Sequence, residues 1–435
     1  MNILIITPFY KHDRNIASVR WTNIGIRLAK KHNVIVVTQP HDDMDMNTTI
    51  EKDEDDILVA RINQKTWYEK TAVKHFGGAT GDDWQTASGT GEPIQVQDGF
   101  KRKLKNKVLY ASMRHKAKQY TDSIIKNVIP KDMTIDVVIS SACPFIEMLF
   151  GYELKKRLNC KWISDFRDLP FIEDNCDDTH IQKKMMQSIL PFADAITVAV
   201  NNMRVEMLKL VRIQDTKIHI LTNGFSLDDY KESEFQKDDV LHIVYTGSLY
   251  GGTLKADMLY QAMNLAKSQN PALKISVEFA GGNNTSAIET SKKYRLQSCV
   301  KDDGFLPRDM ALSLQRRSDY LLAIIRNIPG KGFAAKLFEY VLNQKNIICL
   351  VTDDYYEKTD AESFIEGLNV GIVIKETDEN AVNKLSDYFL EGYKRKLKGL
   401  SPIYSPNTDE IKKYNHDSLS EQVEQLCVNL LSKEI

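Results

Sequence analysis

The segment Arg326-Asn327-Ile328-Pro329-Gly330-Lys331-Gly332-Phe333 follows the apolar run Leu321-Leu322-Ala323-Ile324-Ile325 and leads into residues of helical spacing, 334–342. A strand, a glycine-containing loop and a helix start, in that order, offer unpaired N–H groups and a positive dipole end to an anion beyond the carboxyl end of a parallel strand. Arg326, Lys331 and Lys336 add cationic charge, so backbone amides around Gly332 plus one or two of these side chains would hold a diphosphate. Glu339, one turn into the helix, would accept from ribose hydroxyls. The competing reading is an ordinary strand-to-helix turn with solvated lysines. Gly330-Lys331-Gly332 does not complete GxGxxG, and the loop lacks the GxxxxGK[ST] order, so neither a nicotinamide fingerprint nor a Walker loop is supported.

A second cluster, Asp165-Phe166-Arg167-Asp168, also follows an apolar run. One carboxylate there would orient or deprotonate an acceptor hydroxyl while Arg167 fixes the loop, since a general base must reach that proton. The alternative is a buried ion pair between Asp165 and Arg167. Ser140-Ser141-Ala142-Cys143-Pro144 supplies small hydroxyls at another strand end, with Cys143 read as packing rather than nucleophile. No histidine with serine and aspartate partners suggests a hydrolase. The acidic run 51–56 reads as a solvated loop and is assigned no metal. Lys101, Arg102, Lys103, Lys105 and Lys107 continue into Arg114, His115, Lys116 and Lys118. This 101–118 segment is read as a basic helix that attracts anionic headgroups or a lipid-pyrophosphate acceptor, or else as a packed helix with a solvated basic face.

Elements that could position these groups recur along the chain. Short Val/Ile/Leu runs alternate with helical segments, the pattern of parallel strands covered by helices on both faces, which predicts an α/β doubly wound fold. Strands are predicted at 2–6, 34–38, 136–140, 161–164, 195–198 and 218–221, then at 242–245, 274–280, 320–325, 347–351 and 371–374. The turn signal Thr222-Asn223-Gly224-Phe225 and the charged stretch 228–239 place a boundary near residue 226. Two domains, 1–225 and 226–405, therefore face a cleft, with hinge motion expected at their junction. The glycine-rich stretch 74–99 is too long for a simple connection and reads as a mobile, functional excursion.

A length of 435 residues suits two cores. A hydrophobic fraction of 42%, a mean hydropathy of -0.36 and the lack of any apolar run of about 18 residues describe a soluble protein without a spanning helix. The start of the chain reads as a buried strand rather than a secretory leader. The net charge of -1 argues against bulk nucleic-acid binding. Six scattered cysteines show no zinc spacing, and a cytoplasmic location is expected.

Lys336-Leu337-Phe338-Glu339-Tyr340, followed by Lys345-Asn346-Ile347-Ile348, resembles the KLFEY segment of retaining family-four glycosyltransferases, the group 1 enzymes of bacterial surface polysaccharide synthesis. Further segments follow in that family's order: Thr7-Pro8-Phe9-Tyr10 with Arg20, the serine and aspartate segments above, Ala193-Asp194-Ala195-Ile196-Thr197-Val198, Asn223-Gly224-Phe225, Tyr245-Thr246-Gly247-Ser248-Leu249 and Asp303-Gly304-Phe305. The resemblance spans residues 1 to about 430. It implies a GT-B fold of two Rossmann-like domains, with residues 406–435 packing back on the first, the acceptor-binding one. It implies a nucleoside diphosphate sugar donor of UDP or GDP type, transfer to a sugar or lipid-linked saccharide with retention, and no metal requirement; a peripheral place at the inner membrane face is expected through the basic segment 101–118. Under it, Gly247, Ser248 and Lys255 contact phosphate, Gly304 and Phe305 shape the nucleobase pocket, Lys336 and Leu337 cradle the diphosphate and Glu339 binds ribose; core packing is the other reading of Phe305. Three departures stand out. Lys331 occupies the place of a sugar-contacting glutamate, the usual glycine pair is replaced around Ile16-Ala17, and the Arg-to-Lys phosphate pair retains only Lys255. A nucleotide-sugar epimerase of the same fold and a non-catalytic partner subunit therefore stay open.

Overall fold

Ile3-Leu4-Ile5-Ile6 and Val34-Ile35-Val36-Val37 carry no polar side chain on either face, and a strand so composed must be covered on both sides. The computed structural model describes residues 1–11, 18–40, 49–62, 99–142, 146–169, 179–232, 236–249, 254–327, 330, 332, 335–354 and 358–432. In it Ile3 to Ile6 are entirely buried and pair in parallel register, Ile3 with Val34 on one side and with Val137 on the other. The chain divides into two units. The first comprises Met1–Asn223, Pro329–Gly332 and His416–Ile435, the second Gly224–Ile328 and Phe333–Asn415.

The first unit holds β1 (Asn2–Ile6), β2 (Asn33–Thr38), β3 (Thr49–Lys52), β4 (Leu58–Arg61), β5 (Val137–Ala142), β6 (Lys161–Phe166), β7 (Ala195–Val198) and β8 (Ile218–Ile220). Their order is β3-β4-β2-β1-β5-β6-β7-β8, parallel except for the β3–β4 hairpin. Helix Ser18–Ala29 buries Trp21, Ile24 and Leu28, spaced three and four apart so that they share one face. Helix His416–Ser432 buries Leu419, Val423, Cys427 and Leu430 in the same cluster as Ile3, Ile5 and Trp21. At about 1.5–3 kcal/mol for each large apolar side chain, that seam fixes the C-terminal helix to this unit.

The second unit holds β9 (Leu241–Thr246), β10 (Ile275–Ala280), β11 (Val300–Asp302), β12 (Tyr320–Asn327), β13 (Asn346–Asp354) and β14 (Gly371–Lys375), ordered β11-β10-β9-β12-β13-β14 and all parallel. Helices Asp257–Gln269 and Ala381–Lys396 enclose one core cluster with β9 and β10. Helices Lys336–Leu342 and Asp360–Leu368 cover the other face.

Sequence periodicity missed three strands. β3, β4 and β11 have three or four residues each, too short to show a period, and β3 and β11 are polar. The acidic run, read as a solvated loop, is largely exposed but only its second half is a turn. Glu51 and Lys52 lie in β3, and the turn after them is clasped by Lys11, whose ammonium lies 2.6 Å from Glu54, 2.6 Å from Asp55 and 2.9 Å from Asp53. The stretch 74–98 and Cys143 and Pro144 lie outside the described residues.

Candidate functional site

In the second unit the winding reverses between β9, whose neighbours run outward to β10 and β11, and β12, whose neighbours run to β13 and β14. Such a reversal leaves a crevice beyond the carboxyl ends of the two strands. Backbone approaches backbone closely here. Gly247 has φ 128°, and a Cβ added to it would meet Lys336 Nζ at 2.7 Å. At Gly281, φ 145°, a Cβ would fall 2.1 Å from the Gly247 carbonyl oxygen, so only glycine fits. Gly247 N–H donates to Ala280 O and Gly281 N–H to Gly304 O, each at 2.7 Å. Buried Asn284 ties the set together: its Nδ2 donates to Gly247 O at 3.1 Å, and its Oδ1 accepts from Leu249 N at 3.2 Å.

Onto this frame the helix Lys336–Leu342 brings two charges. Lys336 Nζ stands 3.7 Å from the centroid of the Tyr245 ring, and the Tyr245 hydroxyl donates to Ser248 O at 2.8 Å, which holds the ring in place. Burial pushes the lysine down to about 7, against the opposing pull of Glu339 and Cys349. Glu339, one turn on, is raised by burial, and Arg308 opposes that rise. Arg308 Nε lies 3.5 Å from Glu339 Oε1, while Nη2 donates to Asp229 Oδ2 at 2.9 Å. The helix is pinned from below. The Tyr340 hydroxyl accepts from Thr246 N at 3.1 Å and donates to Leu322 O at 3.0 Å. Asn343 donates to Gln315 at 2.5 Å, and Gln315 donates to the Thr246 hydroxyl at 2.9 Å.

The structure thus brings Gly247, Ser248, Gly304, Lys336 and Glu339 together, with Arg326 half-buried at the end of β12. Phe305 is 71% exposed, so it does not serve the core. Leu337 is fully buried among Leu321, Ala323 and Cys349, so its side chain packs the sheet and only its backbone faces the helix start. Lys255 is exposed, and Lys331 lies outside the described residues. Gly332 groups with the first unit, where its N–H donates to Asp168 Oδ1 at 3.1 Å; Gly330 N–H donates to Asn202 Oδ1 at 3.0 Å. The two loop amides expected to meet a diphosphate are therefore already engaged by side-chain acceptors. Tyr245, Asn284 and Arg308 were not singled out from the sequence. Tyr245 stood inside a quoted motif, and the other two follow glycines whose closeness only the fold reveals.

In the first unit the reversal falls between β1 and β5, and β6 carries Asp165 as its last residue but one before the Arg167 loop. Asp165 is fully buried and accepts four hydrogen bonds. Oδ1 takes Arg20 Nη2 and, at 2.7 Å, the Thr197 hydroxyl; Oδ2 takes Trp21 Nε1 and the Ser141 hydroxyl, each at 2.8 Å. The buried ion pair joins Asp165 to Arg20, not to Arg167. Saturated and out of reach of solvent, this carboxylate has no lone pair left for an acceptor proton, and it anchors the loop that carries Arg167 and Asp168. Ser140 and Ser141 are buried as well, because β5 runs two residues past the predicted end, and Ser140 accepts from Trp162 Nε1 at 2.9 Å.

Among the described residues no group of three or more His, Cys, Asp or Glu side chains is placed to hold a metal ion, and no helix is long and apolar enough to cross a membrane. No protein-family model matches the chain, and no curated protein does. Solved structures do. Trehalose-6-phosphate synthase OtsA aligns over 98% of this chain and 99% of its own with a TM-score of 0.65 at 13% identity. Sucrose-phosphate synthase from Thermosynechococcus elongatus aligns over 99% of each chain with a TM-score of 0.62 at 11% identity. The apo lipopolysaccharide outer core galactosyltransferase WaaB aligns over 100% of each with a TM-score of 0.57 at 12% identity. Likeness of this extent at such low identity establishes architecture: the chain has the GT-B fold, built of two Rossmann-like domains on parallel sheets.

Proposed function

We propose that the protein is a glycosyltransferase that takes a sugar from a nucleoside diphosphate sugar of UDP or GDP type and transfers it, with retention, to a hydroxyl of a sugar or lipid-linked saccharide in bacterial surface polysaccharide assembly. One observation carries this reading: a lysine with depressed pKa lies over an aromatic face at the switch point of the second sheet, paired with no described acid, one turn from a half-buried glutamate. A partly buried cation with no ion-pair partner among the described residues is costly to keep unless a ligand completes it. A diphosphate supplies that charge, and Glu339 lies one helical turn away, the spacing from phosphate to ribose hydroxyls that a nucleoside requires.

In transfer, negative charge accumulates on the departing diphosphate. Lys336, with Arg326 at the neighbouring strand end, would neutralise it, so the reaction is proposed to need no metal. Arg167 and Asp168, carried by the anchored β6 loop, are the groups proposed to face the acceptor; Asp165 holds that loop in position. Helix Gly99–Ser123 buries Ala117 and stacks Tyr120 on Phe150 at 4.1 Å, while Arg114, His115 and Lys118 stay exposed. That basic face is proposed to meet anionic lipid from the cytoplasmic side.

The test is a thermal-shift screen of nucleoside diphosphates and their sugars, because a ligand that prefers the native state raises its melting point. A UDP or GDP species should stabilise the wild type, and Lys336→Ala and Glu339→Ala should each weaken that shift. An unchanged shift in both variants, or no stabilising nucleotide at all, would place the activity elsewhere.

A further inference from the structure

Glu339 is useful to a nucleotide only if its carboxylate is ionised and held still, and neither condition comes from its own helix. Burial favours the neutral acid. Its side chain is 15% exposed, so it is reachable by a ligand. Both conditions are supplied from a different element, the helix Arg308–Arg317 that follows the Gly304 loop. Arg308 sets Nε 3.5 Å from Glu339 Oε1 and gives Nη2 to Asp229 Oδ2 at 2.9 Å. The planar guanidinium is thus tethered at one edge and brought to the Glu339 carboxylate by another, and Gln315 of the same helix adds a side-chain hydrogen bond to that carboxylate. Nε itself completes no hydrogen bond in the free protein, so the Arg308–Glu339 contact is electrostatic rather than a closed hydrogen bond.

We propose that Arg308, anchored by Asp229, is a positioning residue that presents the Glu339 carboxylate to the ribose hydroxyls of the bound nucleoside diphosphate, and that this triad sets selectivity for ribose over deoxyribose. The inference rests on the nucleotide reading of the site given above. A hydrogen bond from a ligand hydroxyl to an ionised, fixed acceptor is among the stronger neutral-to-charged contacts, and removing the ligand hydroxyl strands that acceptor.

The experiment is isothermal titration of the full chain with UDP, GDP and their 2′-deoxy and 3′-deoxy counterparts. The wild type should bind one ribonucleotide about tenfold or more tightly than a matching deoxy form. In Arg308→Gln, ribonucleotide affinity should fall about tenfold while the deoxy form changes less than about threefold, so that the ratio collapses. Arg308→Lys keeps charge without the planar fork and should recover only part of the ratio, and Asp229→Asn should give a smaller collapse with the same sign. Circular dichroism would check that each variant is folded. If the wild type binds and discriminates but Arg308→Gln lowers ribo and deoxy affinity equally, or neither, the positioning role is wrong while the nucleotide site stands. If the wild type binds no nucleoside diphosphate, the reading of the site fails and this inference falls with it.

Discussion

The two sheets each carry an opposite-charge pair at the carboxyl ends of their strands, and the two pairs are finished differently. In the first unit Asp165 receives Arg20, Trp21, Ser141 and Thr197, and every acceptor position on the carboxylate is filled from within. In the second unit Lys336 rests on a ring, Glu339 is approached by Arg308 and Gln315, and the burial of both shifts them toward their neutral forms. A closed network stores stability, whereas an open one stores affinity, because the desolvation already borne in the free protein is relieved only when a ligand arrives. Position relative to the sheet does not tell scaffold from site; the state of completion does.

The strongest challenge to this contrast is Asp165→Ala. It leaves the Arg20 guanidinium buried without its counter-charge and should destabilise the first unit by about 3–5 kcal/mol in urea, a cost typical of breaking a buried pair. A loss below about 1 kcal/mol would mean that the network is not structural. Lys336→Met should act in the opposite sense. Diphosphate affinity should fall about 10–100-fold by calorimetry while the unliganded melting point rises by ~2–4 °C, since a partly desolvated cation is replaced by an apolar chain. A melting point that drops instead would return Lys336 to the scaffold class.

A smaller effect follows from pH. Lys336 titrates at about 7 in the folded protein, so it is charged below that value and neutral above it. Diphosphate affinity should therefore weaken as pH rises from 7 to 9, by up to about tenfold per unit, and Lys336→Arg should flatten the profile. The same shift has a stability consequence. The unfolded lysine keeps its proton to near 10.5 and the folded one releases it at about 7, so this group's contribution to stability rises with pH between those values and is least favourable below 7. The smallest effect is expected for Tyr245→Leu, which removes the ring under Lys336 and should cost about three- to tenfold in nucleotide affinity. No change there would show that the ring only fills space.

Much of the fold was legible because its signals are local. Apolar runs such as Ile3–Ile6 and Leu321–Ile325 declare buried strands, and the alternation with helices declares parallel sheets. Lys336 and Glu339 were legible too, since a strand, a glycine loop and a helix start are contiguous. β3, β4 and β11 were not, because three or four residues show no period. The partner of Asp165 was misread for a different reason: Arg167 is two positions away in sequence but lies past the end of β6, and the arginine that arrives comes from position 20.

The sequence by itself determined the fold class and which residue types gather at the strand ends, for these depend on periodicity and short-range spacing. Tertiary structure alone decided which of those charges are satisfied. Asp165 meets Arg20 across 145 positions and Glu339 meets Arg308 across a separate helix, and no local pattern encodes such distances. Whether a buried charge serves the scaffold or waits for a ligand is a question of how many partners the fold delivers to it.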